Sequence, residues 1–99
     1  MFLAVFTPAG ASDSHLSARI ALSLCTIAQP HWVDFCNGLM QGYADYAALV
    51  GEACFPTGIT RTDLVQLFEE NVRLTQAWRQ DNAAILAATE IFSKQFPCK

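Results

Sequence analysis

The residues able to do chemistry are few and gather in the first half of the chain. Ser14 adjoins His15, and His31, Asp34 and Cys36 follow at short spacing, so a Ser-His or a Cys-His-Asp nucleophilic site can be sketched from residue types alone. Neither sketch carries the parts that such chemistry needs. Sequence neighbours rarely have catalytic geometry, and no nucleophile elbow, oxyanion loop or glycine-rich phosphate loop accompanies these residues. A cysteine committed to a disulfide is no nucleophile either. The expectation is a protein that is not an enzyme, with no catalytic residue, no cofactor and no metal site.

Cys25, Cys36, Cys54 and Cys98 form an even set with wide spacings, no C-x-x-C pair and no histidine at a ligand-like offset, which fits neither zinc nor thioredoxin chemistry. Two disulfides are the natural reading in an exported domain. Of the three possible pairings, chain geometry favours Cys25 with Cys36 across the first interhelical turn and Cys54 with Cys98 across a long loop. Four reduced core thiols would be the reading for a cytosolic chain.

The start of the chain bears on that choice. Met1 to Phe6 is an apolar run that leads through Pro8 into Ala9-Gly10-Ala11, the small-x-small form that signal peptidase accepts, with a polar segment from Ser12 onward. A positive n-region and most of an h-region are missing, so residues 1–11 read either as the tail of an export signal or as a floppy apolar terminus. Residues 12–99 then form one domain, placed in the periplasm by the first reading. No stretch approaches the roughly 20 apolar residues of a membrane span.

The elements that must position these residues read as helices throughout. Ser12, Asp13 and Ser14 offer N-caps for a first helix carrying Leu16, Ile20, Leu22, Leu24 and Ile27, ended by Gln29-Pro30. A second helix starts near His31 and ends near Gly51 to Ala53, with Trp32, Phe35, Leu39, Tyr43, Tyr46 and Leu49 or Val50 at the spacing of a buried face. Inside it, Gly38, Gly42 and Asp45 share one side. Two glycines within a helix imply that another backbone passes close by, and Asp45 beside them is expected to hydrogen-bond a neighbouring helix or loop rather than to act as a catalytic carboxylate.

The run CFPTGITRTD makes a compact turn punctuated by Pro56 and Gly58, and Thr60 with Asp63 forms an acidic capping box for a third helix bearing Leu64, Leu67, Phe68 and Val72. Glu69, Glu70 and Arg73 read as its solvated side. No glycine or proline interrupts residues 60–96, but a single rod of that length could not fold back into a core, so a break is expected near Thr75 to Asp81. Asp81 or Asn82 would cap a fourth helix with Ile85, Leu86, Ile91, Phe92 and Phe96, stopped by Pro97. The expected fold class is all-α, a bundle of about four helices stapled by disulfides.

Composition agrees with a small core that leaves apolar surface over. Hydrophobic residues make up 53% of the 99 and charged residues 15%. A chain of this size buries only roughly 60 to 70% of its unfolded surface, so some apolar area should be covered by a second copy or a partner. The net charge of −3 arises before residue 60, where Arg19 faces Asp13, Asp34, Asp45 and Glu52. No basic stripe is present to meet a nucleic acid backbone.

The segment FCNGLMQGYADYAALVGEACFPTGITRTDLVQLF, with FPCK at the C-terminus, resembles the Rap/Tai group of immunity proteins against type VI secretion amidase effectors. Cys36, Gly38, Gly42, Asp45, Cys54, Pro56, Gly58, Thr60, Leu64, Val65, Phe96, Pro97 and Cys98 match the family pattern, and the resemblance spans residues 16–99. Two departures stand out: Leu39 occupies a position where an aromatic is common, and TQAWRQDN replaces a turn that often carries His-Pro. The resemblance implies a small all-α periplasmic protein, often homodimeric, that binds a cognate peptidoglycan amidase effector and blocks its cleft.

Gln76, Trp78, Arg79, Gln80 and Asp81 in the third connection are the candidate contact residues, since Trp and Arg are frequent binding hot spots. The spacing of Trp78 from Val72 and Ile85 fits a core position equally. A small periplasmic helical protein of stress or chaperone type, with no secretion-system role, is the alternative.

Overall fold

The computed structural model describes residues 16–74 and 80–99. Among them lie four α-helices and no strand: α1 (Ala18–Cys25), α2 (Pro30–Leu49), α3 (Arg61–Arg73) and α4 (Ala84–Gln95). Each helix packs on the other three, with the closest association between α2 and the α3/α4 pair. The all-α bundle read from the sequence is the fold of the protein.

Helix boundaries follow local chemistry. Ser17 caps α1, its Oγ accepting from the Ile20 amide at 3.2 Å; the expected caps at Ser12, Asp13 and Ser14 lie outside the described residues. Pro30 begins α2 rather than ending α1. Gln29 before it is extended (φ −103°, ψ 143°), as a residue preceding proline prefers, and proline at the first helical position gives up no useful donor. The Leu49 end closes with a Schellman pair, the Gly51 amide donating to Ala48 O (3.1 Å) and the Glu52 amide to Ala47 O (2.8 Å). That turn needs the positive φ of Gly51, +79°.

The expected capping box opens α3 with both bonds in place. The Asp63 amide donates to Thr60 Oγ1 at 3.1 Å, and the Thr60 amide donates to Asp63 Oδ2 at 3.0 Å. Gly58, at φ +101°, turns the chain just before it. At the far end, α4 stops at Gln95, two residues short of Pro97.

The start of α4 departs from expectation. Neither Asp81 nor Asn82 caps it; the cap position is Ala83, which has no side chain for the task. Instead the first amides of α1 and α4 are satisfied crosswise by backbone. Ala18 N–H donates to Asn82 O at 2.8 Å and Ala84 N–H to Leu16 O at 2.7 Å, with Ser17 and Ala83 forming an isolated antiparallel bridge. Each entry strand serves as the other helix's cap, which satisfies donors that a helix N-terminus otherwise leaves open.

The core is built largely of alanine. Ala18, Ala21, Ala44, Ala47, Ala53, Ala84 and Ala88 are buried beside Met40, Leu64, Phe68, Val72 and Phe92. Small side chains let helix axes approach closely, and that displaces the larger residues from the contact line. The buried side of α2 is therefore Cys36, Met40, Ala44 and Ala47, and the face expected to be buried divides: Trp32, Leu39 and Tyr43 are half-buried, the last two packed against the core, whereas Phe35 is 42% exposed, Tyr46 43%, Leu49 84% and Val50 46%. Ile20 of α1 and Leu86 of α4 are likewise exposed rather than core. On α3 the expected face holds, with Leu64, Phe68 and Val72 buried and Leu67 packed against them.

Two disulfides tie the bundle, Cys25–Cys36 and Cys54–Cys98, with Cα separations of 5.4 and 5.0 Å. The first joins the end of α1 to the second turn of α2. The second joins the segment after α2 to the C-terminal segment after α4, where the Cys54 amide also donates to Phe96 O at 2.8 Å. Phe55 completes this corner, meeting Phe92 edge-on at 5.6 Å and Phe96 at 5.1 Å.

Candidate functional site

Among the described residues, the Cys-His-Asp sketch does not assemble into a site. Cys36 is buried and bonded to Cys25, so its sulfur is unavailable for attack. His31 and Asp34 are exposed on the outer side of α2, and His31 lies 5.2 Å from the Trp32 ring. Ser14 and His15 lie outside the described residues. No polar or charged side chain is buried among the described residues, and no three His, Cys, Asp or Glu side chains gather there as metal ligands would.

The third connection is covered in part. Gln76, Trp78 and Arg79 lie outside the described residues. Gln80 and Asp81 are engaged within the molecule. Gln80 Nε2 donates to Val72 O at 2.9 Å, satisfying one of the last carbonyls of α3. Asp81 Oδ1 accepts from Arg19 Nη2 at 2.8 Å, an exposed pair that links the approach to α4 to the first turn of α1. The two contacts tie Gln80 to the end of α3 and Asp81 to the start of α1.

Beside this connection, a shallow cleft of about 160 Å³ runs between α3 and α4, with Ala18 at its edge. Val72, Leu86, Ala87 and Ile91 give it an apolar lining, and Asn71, Asn82 and the Glu90–Lys94 pair give it a polar rim. Sequence reasoning passed over it because its walls come from two helices whose relative rotation depends on Ala84 and Ala88, the small residues that set how α4 lies.

The larger open feature is the outer side of α2. Gly38 and Gly42, read from the sequence as places where another backbone passes, are exposed, and a Cβ built on either would meet nothing within 4 Å. Asp45 is exposed too and makes no interhelical bond; its Oδ1 accepts from Gln41 Nε2 one turn back, at 2.9 Å. These motif residues are thus on the surface of the chain rather than at its hub. Pro56, Gly58 and Thr60 lie in the turn that leads into α3, and Pro97 follows α4.

Among the described residues, two groups have shifted proton affinities, and neither lines the cleft between α3 and α4. Burial raises the Tyr43 phenol above its ordinary value. Glu69 is raised by burial first, with Arg73 pulling its carboxyl down and Glu70 pushing it up. Glu69 was expected on a solvated face; it is half-covered, whereas Glu70 and Arg73 are exposed.

No described helix is long and apolar enough to cross a membrane. No protein-family model, curated protein or solved structure matches the chain.

Proposed function

We propose that this chain is a Rap/Tai-type immunity protein, exported to the periplasm, that binds a cognate peptidoglycan amidase effector of a type VI secretion system and occludes its cleft. The observation that carries the proposal is the ordered motif from Cys36 to Cys98, whose cysteines close as two disulfides around a helical bundle. Supporting it are the polar-free interior, the lack of converging catalytic groups among the described residues, and disulfides, which persist in oxidising compartments such as the periplasm. The protein acts by steric block, not catalysis. The third connection, Gln76 to Asp81, is the candidate occluding element, and a homodimer is the expected assembly state.

The test is co-expression with a periplasmically directed amidase encoded beside the gene. Rescue of growth by the wild-type chain supports the proposal; lysis despite correct export and folding of the chain overturns it.

One observation favours a second reading. Among the described residues, eight large hydrophobics, including Leu49 (84%), Leu74 (87%) and Leu86 (63%), are substantially exposed, as suits a helical stress protein of chaperone type that captures unfolded chains. Suppression of aggregation of a model client, with no amidase-encoding neighbour, would support that reading instead.

A further inference from the structure

The outer face of α2 has the make-up of an interface that this chain does not itself fill. At the helical period, Phe35, Gly38, Gly42, Tyr46 and Leu49 fall within an arc of about 80° and extend over about 21 Å of helix. The large members are 42% to 84% exposed, and the two glycines between them leave a hollow with no atom within 4 Å of a built Cβ. Glycine is the poorest helix former after proline, and nothing inside the chain requires it at either position. Close approach of a partner from outside would.

Charge identifies what fits. Asp34 and Asp45 lie along one edge of this arc, eleven residues and so about 16 Å apart, and Glu52 stands beyond its end. Between Ile20 and Thr60 the sequence has no lysine or arginine, and among the described residues no basic side chain pairs with either aspartate; the bridges present are Arg19–Asp81 and Lys94–Glu90. A second copy docking here would bring the same carboxylates to a shared face with no cation to offset them. The hollow between Phe35 and Tyr46 admits a ridge of small side chains, while the α2 rod itself is fixed at its start by the Cys25–Cys36 bridge.

We propose that this face docks a helix of another protein, one with a small-residue apolar ridge and lysine or arginine about three turns apart along the adjoining edge. None of residues 76–81 belongs to this surface, and the proposal stands independently of amidase inhibition. A basic-edged ridge answers both observations at once, since it fills the glycine hollow and pairs with Asp34 and Asp45.

The experiment titrates the oxidised full chain, followed by amide NMR shifts, with two synthetic helical peptides sharing one Ala/Leu ridge, one flanked by lysine and arginine and the other by glutamate. The basic peptide should saturate with shifts confined to residues 34–52, and the acidic peptide should bind at least tenfold more weakly. Gly42→Leu should lose the basic peptide at least tenfold with its thermal midpoint unchanged or raised. Asp34→Asn with Asp45→Asn, which touches no packing contact, should cut the preference between the peptides to less than threefold.

Equal binding of the two peptides, absence of binding, or shifts centred elsewhere overturn the proposal. So does a sedimenting dimer that Gly42→Leu converts to monomer, because the occupant is then a second copy. Unfolding of the Gly42→Leu variant would show the face to be internally packed and equally overturn it.

Discussion

At Gly38 and Gly42, an exposed helix carries the residue that supports it least after proline. Replacing either by alanine should raise stability by about 0.8 to 1 kcal/mol, since no neighbour lies within 4 Å of the new Cβ. Urea denaturation of the oxidised chain checks this, and a loss of stability would reveal packing on that face. Thr60 carries the opposite expectation. Thr60→Ala removes one bond of the capping box and should cost about 0.5 to 2 kcal/mol, read in the same titration. By contrast Arg19→Ala, which breaks an ion pair exposed on both sides, should cost less than about 1 kcal/mol.

Glu69 gives a pH-dependent prediction. Burial raises its carboxyl in the folded state, so folding disfavours the charged form; the fold is most stable where the group is protonated and loses stability as pH rises through the raised value. Glu69→Gln removes that loss. Its stabilisation should therefore be seen in neutral buffer and vanish in acid below the ordinary carboxylate range, as compared by denaturation midpoints in the two buffers.

Among the elements, the two disulfides should differ in what they contribute. Cys54–Cys98 spans 44 residues of sequence and Cys25–Cys36 spans 11. On the loop-entropy account these correspond to about 4 and about 3 kcal/mol, so Cys54→Ser with Cys98→Ser should be the more damaging pair under oxidising conditions. Both variants should converge with wild type once reductant is added, and equal stability with and without reductant would contradict the bridges' role. Intact mass before and after reduction checks that both have formed.

What the elements disclosed in advance depended on which residues marked them. Side-chain signals were legible: the Thr60–Asp63 box, the Gly51 and Gly58 turns, the stop before Pro97, and the pairing of the cysteines. Signals held in backbone were not. Ala83 bears no capping group, and the amide it leaves is satisfied by Leu16, a residue from the opposite end of the domain. The orientation of α2 was misread for a different reason. Its large apolar residues have helical spacing, but so do Cys36, Met40, Ala44 and Ala47, and the bundle centres its contact on this second set, keeping Leu39 and Tyr43 at the margin of the core and leaving Phe35, Tyr46 and Leu49 exposed. Hydrophobic periodicity detects a helix well; it chooses poorly between two apolar faces of one helix.

For the molecule as a whole, that misreading relocates the interesting surface. Gly38, Gly42 and Asp45, read as the inner seam of a bundle, lie on its outside. In the proposed immunity role, substitutions in residues 76–81 should abolish protection while leaving the fold intact, and changes on the outer face of α2 should leave amidase binding unaltered. Parallel growth-rescue assays and amidase pull-downs with the two sets of variants separate these surfaces.

The crosswise backbone bonds between the starts of α1 and α4 bear on how the domain opens. Neither helix can fray from its first turn without releasing the other, although 66 residues separate Ala18 from Ala84 in the sequence. The Ala18 and Ala84 amides should therefore exchange with deuterium at matching rates and lose protection together. Trimming the chain to a point beyond Leu16 would deprotect a helix near its other end.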